Sequence, residues 1–220
     1  MDTTIPWIRD TIDLARNVAL PSIPPIFHMI WIGENPIPDH VIQNYNLWKS
    51  IMPHWGSKLW KNEDINQFPQ EVIDKVNQAN KGAQKADILR YYILQKYGGF
   101  YIDTDIIPSR SLDALLYMGY ELILYHDNDL TWNYIINCFM GCVPNHPVVN
   151  EACKRVLNAE LNTEDVNFKT GPYLWGTCVS EVPPKNGKKY LLLDFPFFSN
   201  FHNPIDKLGT HTYAASWVNK

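Results

Sequence analysis

The chain has 220 residues, 45% of them hydrophobic and 19% charged, with a formal net charge of −4. That length supports one sizeable core and one domain, and the absence of any basic block excludes nucleic-acid backbone binding. No apolar run approaches the ~18 residues that span a bilayer, and the N-terminus lacks the apolar core of a signal peptide, so a soluble, cytoplasmic protein is expected.

Four cysteines in a chain of this size do not suggest a disulfide framework, and the spacing of CFMGC does not suit a common zinc site. In chain order, Ile5, Ile8, Ile12, Ala15 and Ala19 fall near one helical face and predict a helix over 5–19. Pro21, Pro24 and Pro25 then break the chain. IFHMIWIG, Ile26 to Gly33, is a near-continuous apolar run closed by glycine and reads as a buried strand. Helices are expected around 39–50 and 69–79, with a short strand near Lys58 to Trp60. Ala86, Leu89, Ile93 and Tyr97 then mark an amphipathic helix that stops at Gly98. FYIDTDII follows as a strand ended by Pro108. SLDALLYMG reads as a short helix, and ELILYHD and NYIINCFMGCV as strands. NHPVVNEACKRVLNAEL is a helix with Pro147 in its first turn. YLLLDF is a last strand before a loop-rich, aromatic tail. Strands alternating with helices imply an α/β sheet covered by helices on both faces.

Asp103 and Asp105 raise the chemical question. In a continuous strand, residues i and i+2 point the same way, with backbones ~6.6 Å apart at ~3.3 Å per residue. Two charges at the end of a buried strand need a counter-charge, and a hard divalent cation with oxygen ligands supplies one. The alternative is that the strand ends at Ile102 and both acids sit in a solvated turn. Position favours the cation, because open α/β sheets bind ligands at the carboxyl edge of their strands. In the preceding helix, Asp87 and Arg90 are neighbours on one face, flanked by apolar residues. A partly buried pair there could hold a ribose, a sugar hydroxyl or a phosphate.

Several motifs together resemble a known family. They are His28 and Trp31 in IPPIFHMIWIG, the block KADILRYYILQKYGGFYIDTD, Asn137 in NCFMGCVPNHPVV, TGP at Thr170 to Pro172, and HTYAASW near the end. This set is similar to the D-x-D sugar transferases of glycosyltransferase family 32, which include initiating yeast mannosyltransferases. The central block is shared with the clostridial glucosylating toxins. The resemblance implies the GT-A fold: a Rossmann-like single domain with a mixed, mostly parallel sheet. It implies a metal-dependent hexosyl transfer from a nucleotide-sugar donor to a hydroxyl of a glycan or other acceptor, with retention; the short, aromatic strand lining the pocket favours UDP over GDP. It also implies a helical extension over 1–22, a nucleotide-sugar-binding half over 23–110, and an acceptor-side half with a closing segment over 111–220. A bacterial or viral enzyme fits a chain without an anchor.

Carried over by position, Asp105 would bind Mn²⁺ (or Mg²⁺) directly. Asp103 would hold the ribose and the metal's water shell, and His211 would be a third ligand or a diphosphate contact. Asp87 and Arg90 would bind the sugar hydroxyls, with Arg90 also near the diphosphate. His28, Trp31 and Tyr101 would lie along the donor, Ser216 and Trp217 would close over its phosphates, and Asn137 would stand near the donor sugar or the acceptor. Two other classes stay open. A D-x-D phosphatase would need a Gly-Thr-like continuation and a late acidic pair, where this chain has Ile-Ile-Pro and Asp194. A non-catalytic sugar-binding module would bind donor without turnover.

Overall fold

The computed structural model describes residues 22–129, 132–161, 166–184, 190–194, 197–198 and 207–212, with main chain only at 127–129 and 132–134. The helix expected over 5–19 and the pair Ser216 and Trp217 lie outside the described residues. β1 (Ile26–Ile30) leads to α1 (Asp39–Ile51), β2 (Gly56–Trp60), a 3-10 helix (Asn62–Gln67) and α2 (Gln70–Gln78). α3 (Gly82–Tyr97) feeds β3 (Gly99–Ile102), followed by β4 (Ile106–Pro108) and a short α4 (Asp113–Leu116). β5 (Leu122–Asp129) and β6 (Trp132–Cys142) pair as antiparallel neighbours. α5 (Pro147–Asn158), α6 (Val166–Lys169), α7 (Pro172–Glu181), β7 (Leu191–Leu193) and β8 (Gly209–His211) follow.

Six strands form the central sheet in the order β2-β1-β3-β6-β5-β7. β6 runs against β3 and β5, while the pairings of β1 with β2 and β3, and of β5 with β7, are parallel. This is the α/β sheet that the alternation of patterns predicted, with the mixed, mostly parallel order that the resemblance implied. β3 shows why both faces are covered. Phe100 and Ile102 enter one apolar cluster with Trp48 and Phe139, while Tyr101 enters the other with α3, α5 and α7. All four cysteines are buried and free.

The Gly98–Gly99 pair has a steric cause. Both residues have positive φ, 61° and 82°. A Cβ at Gly99 would lie 2.4 Å from the Ile26 carbonyl oxygen, so only glycine lets the helix end drop directly into the strand beside β1.

One expectation is corrected. The strand does not run through both acids: β3 ends at Ile102, and the Ile106 amide closes a turn onto the Asp103 carbonyl at 3.1 Å. Asp103 and Asp105 therefore do not share a strand face. The chain resumes as β4, which leaves the central sheet and pairs antiparallel with β8 in a small second sheet. β8 and α7 were not expected: β8 lies in the stretch read as loop, and no element was read over Pro172–Glu181. Among the described helices, none is long and apolar enough to cross a membrane.

Candidate active site

The turn after β3 is anchored rather than solvated. The Asp103 amide still donates to the Cys138 carbonyl on β6 at 2.8 Å, and the Asp105 carbonyl accepts from the Thr212 amide at 3.1 Å. The β4–β8 pairing sets Ile106 opposite His211, which carries the imidazole to the acids. His211 Nε2 lies 3.3 Å from an Asp105 carboxylate oxygen. One ligand atom from each of Asp103, Asp105 and His211 falls within 4.8 Å of the other two. Two carboxylate oxygens and an imidazole nitrogen fit a divalent cation, and they converge from two segments at one edge. This chemistry could also hold a proton. Burial works to lower the His211 pKa, but Cys138 and Asp105 more than reverse this and push it up to about 11. Burial raises the Cys138 thiol, leaving it uncharged at neutral pH, so the carboxylate supplies the attraction there. For Asp103, burial is the main cause of a pKa pushed up to about 6; Asp105 adds to it, and Arg90, Tyr101 and His211 oppose it.

Behind this edge stands a buried polar network. Asp87 and Arg90, with side chains 7% and 6% exposed, pair at 3.1 Å across one turn of α3. Arg90 also reaches Asp103 at 3.4 Å and donates to the Asn137 carbonyl at 2.6 Å. Its guanidinium lies over the Tyr101 ring, 4.3 Å from the centroid. Tyr101 in turn donates its hydroxyl to Asp103 at 2.5 Å. Burial works against the charge on Arg90, but Tyr101, Asp87 and Asp103 hold it in the protonated form. Asp87 accepts from Asn137 Nδ2 at 3.0 Å and from the Thr170 hydroxyl at 2.9 Å. Asn137 Nδ2 also donates to the Tyr91 oxygen at 3.0 Å, and Tyr91 donates to the Thr170 carbonyl at 2.9 Å. Burial raises the Asp87 pKa, and these partners oppose the rise.

The structure thus brings Asp87, Arg90, Tyr101, Asp103, Asp105, Asn137 and His211 together. Asn137 directs its Nδ2 to Asp87 and Tyr91, so its amide nitrogen ties α3 to β6. Trp31 follows β1 at the same carboxyl edge, half-buried, with its indole donating to the Asn35 carbonyl at 3.3 Å. Tyr91 and Thr170 were absent from the expected site. TGP was the available signal for Thr170, but nothing local says that its hydroxyl reaches α3.

His28 is placed differently. Its Nδ1 accepts from the Trp60 indole at 3.3 Å, and its Nε2 lies 3.1 Å from the Gly98 carbonyl. Gly98 lies at the amino end of β3, away from the acids, so both ring nitrogens are committed to the fold and none is left for a donor. Burial lowers its pKa to about 4, with the Gly98 contact opposing. The folded value lies below the unfolded one, so this stability is present above about pH 6.5 and is lost as pH falls toward 4. The expected loss is about 3 kcal/mol. Urea melts at pH 7, 5.5 and 4.5 should show a flatter slope in His28→Phe than in the wild type. Equal slopes would refute the assignment.

The chain is similar to several known glycosyltransferases. Residues 38–120 match the family described as the glycosyltransferase sugar-binding region containing the DXD motif. An uncharacterized glycosyltransferase of Acanthamoeba polyphaga mimivirus is 30% identical over 212 residues, covering 89% of this chain and 84% of that protein. The mannosyl phosphorylinositol ceramide synthase SUR1 of Saccharomyces cerevisiae is 32% identical over 182 residues, covering 77% of this chain and 46% of the yeast protein. The chain therefore spans about half the length of that relative. In fold it is similar to the PaToxG glycosyltransferase, with a TM-score of 0.60 at 17% identity, covering 80% of this chain and 79% of that one. The UDP-bound glycosyltransferase domain of the YGT toxin gives a TM-score of 0.54 at 12% identity, covering 86% and 80%. Neither a phosphatase nor a non-catalytic module accounts for these matches; the chain is a glycosyltransferase of the GT-A fold and belongs to the family whose sugar-binding region carries the DXD motif.

Proposed function

We propose that this glycosyltransferase takes its sugar from a UDP-sugar, with Mn²⁺ (or Mg²⁺) held by Asp103, Asp105 and His211. The sugar passes to a hydroxyl of a glycan or other acceptor with retention of configuration. The observation that carries this reading is the convergence of those three side chains within 4.8 Å at the carboxyl edge of β3. When bound, the cation neutralises charge developing on the departing diphosphate.

The chain's own residues do the rest. Arg90 fixes Asp103 and Asp87 relative to one another, and Tyr101 shares the Asp103 carboxylate. Asp87 keeps acceptor capacity for a sugar hydroxyl beyond its protein partners. Trp31 lines the nucleoside, and Ser216 and Trp217 close over the phosphates. In this reading residues 23–110 bind the donor, residues 111–220 serve the acceptor and closure, and residues 1–22 are an extension. Among the described side chains at this edge, Asp87, Asp103 and Asp105 are all engaged. That supports attack from the leaving-group face, with a diphosphate oxygen accepting the acceptor's proton.

UDP is bound by the YGT toxin domain of similar fold, and mannosyl transfer is named for the yeast relative, so a GDP-sugar is the second choice. Calorimetric titration with UDP-glucose, UDP-galactose, UDP-N-acetylglucosamine and GDP-mannose, with Mn²⁺ and with EDTA, tests the donor and the metal together. Binding that survives EDTA removes the metal; no binding at all removes the reading. An inverted product anomer by NMR removes retention.

A further inference from the structure

Gln84 lies in the first turn of α3 and is 2% exposed, yet its side-chain Nε2 has no hydrogen-bond acceptor among the described residues. Buried amide donors without partners are costly and rare, and a leucine or methionine would fill the same volume at no such cost. A glutamine at this point calls for an acceptor from outside the described residues.

Its location says which. A Cβ at Gly82 would sit 2.7 Å from the carbonyl oxygen of Ile32, just past β1, so α3 begins at the carboxyl edge of the sheet. From that edge inward, Gln84, Asp87 and Arg90 follow at successive helical turns, and side chains so spaced are neighbours. Gln84 also lies in line with Ile88 and Tyr91, and the Tyr91 hydroxyl meets Thr170, which holds Asp87. Trp175 Nε1 also lacks an acceptor, but that indole is fully buried in the apolar cluster against Tyr91, deeper than Gln84.

The two side chains at the edge are chemically complementary. Asp87 can only accept hydrogen bonds, and the Gln84 Nε2 can only donate them. A sugar hydroxyl does both, giving its proton to a carboxylate and taking a donor on its oxygen. A phosphate would call for cationic partners, which a neutral amide is not. We propose that Gln84 is a sugar-selecting residue, whose amide donates to a hydroxyl oxygen of the hexose carried by the nucleotide donor, beside Asp87. This rests on the donor reading given above.

The test compares wild type, Gln84→Leu and Gln84→Met in Mn²⁺ with the four sugar nucleotides already named and with UDP and GDP alone. The expected result is about a tenfold loss of affinity for the preferred sugar nucleotide, no change for its parent diphosphate, and a melting temperature of the free protein at or above that of the wild type. A monodeoxy series of the preferred sugar nucleotide should contain one analogue that binds wild type and variant equally. Equal affinity of wild type and both variants for the full sugar nucleotide would overturn the proposal and assign the amide an internal water. A drop of several degrees in both variants would also overturn it, by revealing a structural partner. Wild type that binds the sugar nucleotide no better than its diphosphate overturns this proposal alone. Wild type that binds neither overturns the donor reading and this one with it.

Discussion

Replacing Asp105 with alanine is expected to lower turnover by ~100-fold or more at saturating Mn²⁺, because the change removes a main stabiliser of leaving-group charge. The variant should keep its fold. The Asp105 contacts that anchor the turn run through its carbonyl, which accepts from the Thr212 amide and hydroxyl, each at 3.1 Å, and alanine retains that carbonyl. The β4–β8 register that delivers His211 also rests on main-chain bonds. What the substitution takes is the carboxylate beside His211 and, with it, one of three ligand atoms. Initial rates of donor hydrolysis, read beside Mn²⁺ affinity by electron paramagnetic resonance, check the two consequences separately. Near-normal turnover at saturating Mn²⁺ would overturn the assignment of Asp105 as a main stabiliser of leaving-group charge.

Arg90→Met should unsettle the fold as well as the site. Arg90 is the common partner of Asp87, Asp103 and the Asn137 carbonyl, and its side chain is 6% exposed. Removing one member of a buried ion pair leaves the other charge uncompensated, a loss of about 3–5 kcal/mol. For a chain of this length each kcal/mol moves the melting temperature by about 2–4 °C, so a fall of roughly 6–20 °C is expected. Asp87→Leu combined with Arg90→Met should recover part of that loss, since the lone Asp87 charge is then removed while Asp103 still lacks its partner. A single variant within about 1 kcal/mol of wild type would show that water reaches Asp87 and that the network is not sealed.

Much of this site follows from short-range pattern. The helical stripe of α3, its stop at Gly98, the buried run of β3 and the adjacency of Asp87 and Arg90 all depend on residues within a few positions of one another. Helical and strand periods, with the steric freedom of glycine, act over that range. The D-x-D pair was legible as a candidate cation site for the same reason, although its geometry was not. A strand repeat extended through 103–105 puts both acids on one face. The real turn instead depends on β8 drawing β4 out of the sheet.

The sequence by itself determined the α/β layering, the carboxyl-edge position of the acids and the charges gathered there, because local periodicity and residue chemistry carry that information. Tertiary structure alone decided that His211 reaches Asp105, that Thr170 holds Asp87, and that His28 closes on Trp60 and Gly98 instead of facing a ligand. Each of those outcomes is a hydrogen bond or ion pair between distant segments, and which partner a buried polar group meets is set by how the layers pack.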